Sequence, residues 1–390
     1  MYRSNKPSFS SRRPVRRSRH TSTRIDVSRY VNKAVVETKQ VEVFVPKHTF
    51  ADFAVDERVK NNIISKGYKI PTPIQDKAIP AVLGGSDVVG IANTGTGKTA
   101  AFLIPLLHKT LTNRNERVLV MVPTRELAQQ INDELIGFAK NFPISAAVCV
   151  GGAGIWNQIG ALKRKPQFVI GTPGRLKDLL ERKNLVLSDF RTAVLDEADR
   201  MMDMGFLPDM RQILALLPKD RQTLFFSATL SPEIDRLIGE FLREPIRISV
   251  KTQETASSIE QDIIRVPQGK NKIDILHDLL IQPDFNKVLV FGRTKHGVER
   301  LSQTLVERGF KAESIHGNKT QGRRQRALDL FKRDHVQVLV ATDVAARGLD
   351  INGVSHVINY DLPASHEDYI HRIGRTGRAG KKGKALTFVE

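Results

Sequence analysis

Lys98 lies near the end of a run, Ala92-Asn93-Thr94-Gly95-Thr96-Gly97-Lys98-Thr99, whose residue types suit a polyphosphate. Gly95 and Gly97 let the backbone curl until consecutive N–H groups point inward at phosphate oxygens, and a helix starting there adds its dipole and free N–H groups. The Lys98 ammonium can then reach the β- and γ-phosphates while the Thr99 hydroxyl ligates Mg²⁺. The generic pattern has Gly where this chain has Ala92. Further along, Asp196-Glu197-Ala198-Asp199 follows the apolar run Ala193–Leu195. A carboxylate leaving a buried strand downstream of a phosphate loop is where a Mg²⁺ partner belongs. Asp196 would hold the metal through water, and Glu197 would orient and deprotonate an attacking water. A plain acidic helix N-terminus is the alternative for these residues, and Lys98 upstream argues against it. Together they could hydrolyse a nucleoside triphosphate.

Such residues must be placed by strands that end at a common edge. Val88–Ile91 reads as a strand running into the phosphate loop, and a helix follows through Leu107. Val118–Val122, Ala146–Val150, Phe168–Ile170, Ala193–Leu195 and Thr223–Phe226 are further short apolar runs. Helix-like stretches lie between them, such as Glu126–Ile136 with Leu127, Ile131 and Leu135 at four-residue spacing. Alternation of this kind implies a mostly parallel sheet with helices on both faces. The pattern pauses at the polar stretch Lys251–Glu260, then restarts with Val288–Phe291, Val338–Ala341, Val357–Tyr360 and Ala385–Val389. Two α/β halves, 46–250 and 261–390, are expected, joined by a linker at 251–260 and preceded by a tail at 1–45. No Gly-rich phosphate loop occurs in the second half, so one nucleotide site, shared by both halves, is expected.

The 390 residues carry a formal net charge of +19, which favours polyanionic partners, nucleic acid first. No apolar run approaches the roughly 18–20 residues that span a bilayer, and no basic amphipathic helix suggests a membrane surface. Cys149 is the only cysteine, so no intrachain disulfide can form and a reducing, cytoplasmic compartment fits. Its apolar surroundings make it a core thiol. Residues 1–24 contain Arg3, Lys6, Arg12, Arg13, Arg16, Arg17, Arg19 and Arg24, no acidic residue, and Ser and Thr in the gaps. That composition predicts a disordered tail acting as an electrostatic arm. An inert solubilising tail and, more remotely, a transit peptide are the alternatives.

Asp196-Glu197-Ala198-Asp199 resembles the signature of the DEAD-box RNA helicases of superfamily 2, and ordered motifs extend the resemblance over roughly residues 48–390. It implies a bacterial-like member with two tandem RecA-like domains, ATP in the cleft between them and RNA lying across both. Gly67–Gln75 is similar to the family's Q motif. The resemblance gives Gln75 the adenine edge, which its amide can pair, and Tyr68 a stacking surface. Phe50, 17 residues before Gly67, matches the family's isolated aromatic, with a core role equally open. Ser227-Ala228-Thr229 resembles the motif that links the acidic box to strand separation, which assigns Ser227, Thr229 and Asp199 to coupling. A helix N-cap is the bland reading of the same residues, with Ser231 a rival cap.

The resemblance places RNA against Pro123, Thr124 and Arg125, against Gly151 and Gly152, and against Thr172, Gly174 and Arg175. Each set follows an apolar run, hence lies at the carboxyl edge of the sheet. In the second half it offers Arg293, the segment Gln321–Arg324, and Thr342 within Ala341–Asp350, with Asp350 as a ribose or interdomain contact. His371–Arg378 matches motif VI. Arg375 and Arg378, three apart, share a helix face and are expected at the γ-phosphate as arginine fingers, with a basic RNA surface as the lesser alternative; His371 is structural or coupling. The implied activity is RNA-stimulated ATP hydrolysis by a monomer, driving local duplex unwinding. Its rivals are an ATP-locked RNA clamp and a processive translocase; only about 20 residues separate Ile351 from His371, little room for a strand-separating hairpin.

Overall fold

A computed structural model describes residues 44–93, 95–250, 259–346, 351, 353–377 and 383–389. The expected arm therefore lies outside the described residues, as do Thr94, Asp350 and Arg378.

The chain forms two parallel sheets. In the first, β1 (Val88–Ala92), β2 (Val118–Met121), β3 (Ala146–Cys149), β4 (Phe168–Gly171), β5 (Thr192–Leu195), β6 (Gln222–Ser227) and β7 (Ile246–Val250) are ordered β3-β4-β2-β5-β6-β1-β7. In the second, β8 (Ile259–Arg265), β9 (Val288–Phe291), β10 (Ala312–Ile315), β11 (Val338–Ala341), β12 (His356–Asn359) and β13 (Gly383–Val389) are ordered β10-β11-β9-β12-β13-β8. Successive strand residues feed opposite faces. Val88, Val118 and Phe168 enter one hydrophobic core while Val89, Leu119 and Val169 enter another on the far side. Val288 and Leu289 divide in the same way between the two cores of the second sheet. Burial on both faces explains why these strands read as continuous apolar runs. The architecture is two RecA-like α/β domains, each sheet flanked by helices.

Parallel strands all point one way, so the loops leaving β1 to β6 gather along one edge of the first sheet. The phosphate loop leaves β1, Pro123–Arg125 follows β2, Gly151 follows β3, Thr172 follows β4, Asp196 follows β5, and β6 ends at Ser227.

Candidate active site and nucleic-acid interface

Gly95 (φ 84°) and Gly97 (φ 91°) occupy the left-handed region, which curls the loop ahead of the helix Lys98–Thr112. A Cβ on Gly97 would collide with the Gln75 amide. Lys98 is buried, and its Nζ donates to the Ala92 carbonyl at 2.8 Å. That spans the loop from last residue to first, a parking place from which a phosphate can draw the ammonium. Gln75 is 1% exposed; its Nε2 donates to Gly97 O at 3.1 Å, and its Oε1 accepts from Thr72 N at 3.0 Å. Each atom keeps a second hydrogen-bonding position, so Gln75 braces the loop and retains capacity for a base edge.

Tyr68 donates through its hydroxyl to Glu134 Oε1 at 2.7 Å, and its ring packs edge-on to Phe50 and tilted against Phe138. Phe50 is buried in the core of this half. Asp76, which sequence reasoning passed over, accepts from Lys47 N at 3.1 Å and His48 N at 3.0 Å, and so ties the segment leading to Phe50 onto the helix that carries Gln75.

Asp196 and Glu197 are both nearly fully buried. Burial pushes the Asp196 carboxyl up to about 6 against the pull of Lys98, with Glu197 and Asp199 adding to the rise. For Glu197 burial also pushes upward, but Arg200, Lys98 and Arg375 outweigh it, and the group sits below its ordinary value. Glu197 adopts φ 52°, left-handed for a residue with a side chain, a strain that collects at functional sites. Its carboxylate pairs with Arg200, another residue the sequence reading missed. Asp199 points elsewhere: its Oδ2 accepts from Ala228 N and Thr229 N, both at 2.9 Å, and from Thr229 Oγ1 at 3.2 Å. Ser227 Oγ donates to Thr229 O at 2.7 Å. The helix Pro232–Phe241 is capped by Ser231 instead, so Ser227 and Thr229 are not its N-cap.

A groove of about 350 Å³ brings together Pro123, Thr124, Arg125, Gly151, Thr172, Gly174 and Arg175 from the first half with Gly317, Arg324 and Val344 from the second. Thr124 caps the helix Arg125–Phe138. Gly152 (φ 72°) lets the chain pass so close to Arg125 that a Cβ would strike the guanidinium. Arg175 Nη1 donates to Ala153 O at 3.3 Å. Across the groove Arg324 Nη2 lies 2.9 Å from Glu126 Oε2, with both side chains buried. The alignment falls short of a hydrogen bond, leaving both Glu126 oxygens and Arg324 Nε without such a partner. Three guanidinium groups against one carboxylate make the groove cationic.

In the second half Arg372 is locked: Nε and Nη2 donate to Asp343 at 2.6 and 2.7 Å, and Nη1 to Asp361 O at 2.7 Å. It lines a small cavity with His371 and Arg375. Arg375 is buried and its charge bears on Glu197. Thr342 is buried at the end of β11, and Arg293 is exposed with its N–H donating to Asp361 at 2.7 Å; neither lines the groove. Among the described residues no three His, Cys, Asp or Glu side chains are placed to hold a metal ion. Mg²⁺ bound chiefly by phosphate oxygens needs no such cage, so one hydroxyl at Thr99 and one carboxylate at Asp196 fit it.

Two families match the chain: DEAD/DEAH box helicase over residues 72–237, and helicase conserved C-terminal domain over residues 271–380. The ATP-dependent RNA helicase CshA of Limosilactobacillus reuteri is 46% identical over 87% of this chain and 69% of its own length. The chain belongs to the DEAD-box helicase family. The Listeria monocytogenes CshA is 48% identical, again over 87% of the chain, and Bacillus cereus DEAD-box ATP-dependent RNA helicase CshA is likewise 48% identical. The chain spans 66% and 65% of those two relatives.

Among solved structures, S. cerevisiae Dbp5 bound to RNA and ADP BeF3 is 30% identical and matches 88% of this chain and 89% of its own, with a TM-score of 0.78. Mss116p bound to ssRNA and AMP-PNP is 29% identical over 88% of this chain and 76% of its own, with a TM-score of 0.79. A DEAD box protein from Methanococcus jannaschii is closer in sequence, 39% identical over 88% of this chain and 94% of its own, yet scores 0.52. The two halves here superpose better on Dbp5 and Mss116p than on the Methanococcus jannaschii protein.

Proposed function

We propose that this protein is an ATP-dependent RNA helicase that hydrolyses ATP in response to RNA and opens short duplexes locally. The observation that carries the reading is the convergence of both halves on Glu197: Lys98 and Arg200 act on it from the first and Arg375 from the second. A hydrolytic site needing both halves responds to whatever draws them together, and the cationic groove is lined by both.

In this reading Lys98 leaves the Ala92 carbonyl for the β- and γ-phosphates, and the loop N–H groups of residues 95–99 cradle the chain of phosphates. Thr99 and, through water, Asp196 would hold Mg²⁺, which when bound would supply positive charge against the phosphate oxygens. Glu197 takes a proton from the attacking water, a bond forms from that oxygen to the γ-phosphorus, and the bond to the β–γ bridging oxygen breaks, releasing ADP and phosphate. Arg375 and Arg378 stabilise the charge on the transferring group. Gln75 and Tyr68 read the base. Asp199, through Ser227 and Thr229, passes the state of the acidic box to the adjoining loops.

RNA is recognised through its backbone, by Arg125, Arg175 and closely approached glycines, which gives little sequence preference. The tail adds electrostatic affinity, and the protein works as a monomer in the cytoplasm. Phosphate release from ATP is expected to rise severalfold or more on adding single-stranded RNA; equal turnover with and without RNA would overturn the proposal.

A further inference from the structure

Gly151 lines the groove at the end of the segment that leaves β3. The chain continues through Gly154 into the helix Ile155–Lys163, whose second residue is Trp156, the only tryptophan in the protein. Ile155, Ile159 and Leu162 turn that helix's apolar stripe to the core. Trp156 lies off the stripe and is 79% exposed. An isolated exposed apolar residue is ordinary, but this one has three uncommon features. First, its helix is fixed to the groove: Gln158, itself buried, donates to Val150 O at 3.0 Å, and Arg175 of the groove holds Ala153 O. Second, helical side chains lean toward their own N-terminus, here toward the glycines at the groove mouth. Third, its face is cleared and charged: Gly160, one turn on, would have a Cβ in open space, and Lys163, Arg164 and Lys165 continue the exposed face.

We propose that Trp156 is an accessory stacking platform for a base of single-stranded RNA leaving the groove. The proposal rests on the groove holding RNA. An indole offers a flat π-surface to any base, and neighbouring cations suit the phosphates on either side. A wide exposed ring beside a backbone-reading groove adds grip without adding sequence preference.

The full chain is titrated with two fluorescein-labelled oligonucleotides, one just long enough to fill the groove and one extended by several nucleotides, with a non-hydrolysable ATP analogue. Anisotropy reads binding, and Trp emission reads Trp156 alone. The extended RNA should quench that emission and the short one should quench it much less. Trp156→Ala should weaken the extended RNA by roughly fivefold to a hundredfold, the span of one base stack, without a matching loss on the short one, and Trp156→Phe should restore most of it. Extended RNA that binds without changing the emission overturns the proposal, as does an equal loss on both lengths, or emission that depends on protein concentration without RNA, which would assign the ring to a second copy. Absence of any anisotropy change is a different result: it overturns the RNA reading of the groove itself.

Discussion

Glu197 carries two constraints at once. Its backbone is left-handed at φ 52°, and its carboxylate is buried among the charges of Arg200, Lys98 and Arg375. Three cations favour its ionised form, the form that the proposed general base needs. Glu197→Gln keeps the shape and removes the base, so kcat should fall by about 10²- to 10⁴-fold while ATP binding, followed with a fluorescent nucleotide, changes little. Asp199→Asn tests the neighbouring carboxylate differently. It removes the charge that accepts from Ala228 and Thr229, so RNA-stimulated ATPase should survive better than duplex separation, and equal losses would deny a coupling role. Lys98, Asp196 and Glu197 could be singled out as candidates because glycines at that spacing ahead of a helix suit a phosphate chain, and only downstream of such a loop does an acidic run after a strand suggest more than a helix N-terminus. Arg200 and Asp76 were not. Their roles depend on which way a buried side chain turns, and one charged residue among many in a chain of this charge carries no such signal.

At the level of elements, the groove depends on a loop that no motif marks. Gly317 sits between β10 and the helix Gln321–Lys332. The loop is held by Glu299 from the helix Lys295–Glu307: Ser314 Oγ donates to it, His316 Nε2 meets it at 2.9 Å, and Lys319 Nζ lies 3.5 Å away. Asn318 N donates to His316 Nδ1 at 3.3 Å, which leaves Nε2 as the nitrogen carrying the proton toward Glu299. Burial pushes the Glu299 carboxyl up, but the bonds from Ser314 and His316 and the charge of Lys319 prevail and bring it down to about 2. A carboxyl lowered in the folded state lends stability above its ordinary value of 4.5 and loses it as pH falls from there toward 2. Glu299→Gln should therefore lower Tm at pH 7, with the gap from the parent narrowing below about pH 4.5; a gap constant from pH 7 to pH 3 would rule this out. Strand β10, with Glu313 and Ser314 at its centre, escaped sequence reading for the same reason that this loop did: its residues are chosen for polar contacts. So did the edge strands β7 and β8, where only some positions are buried. The strands buried on both faces, by contrast, stood out to within one or two residues.

Across the whole molecule, the two halves meet through Glu126 and Arg324, one from the helix after β2 and the other from the helix after β10. Sequence showed both segments but not that they touch, because their separation along the chain carries no distance information. Burial lowers the Arg324 pKa, Glu126 opposes that and Arg125 adds to it, so this guanidinium is placed where another anion would be welcome. Removing one member of a buried pair costs about 3–5 kcal/mol, and if the halves part in the absence of RNA, as the proposed function requires, that cost falls on the closed arrangement alone. Arg324→Ala should therefore leave thermal unfolding nearly unchanged while raising the RNA concentration needed for half-maximal ATPase by tenfold or more. The reversed pair, Glu126→Arg with Arg324→Glu, should recover part of the loss, because it restores opposite charges at the same positions. ATPase titrations with RNA on the two single variants and the reversed pair decide the matter. If the reversed pair is no better than either single variant, the contact does not hold the halves together, and closure must be driven by RNA and nucleotide alone.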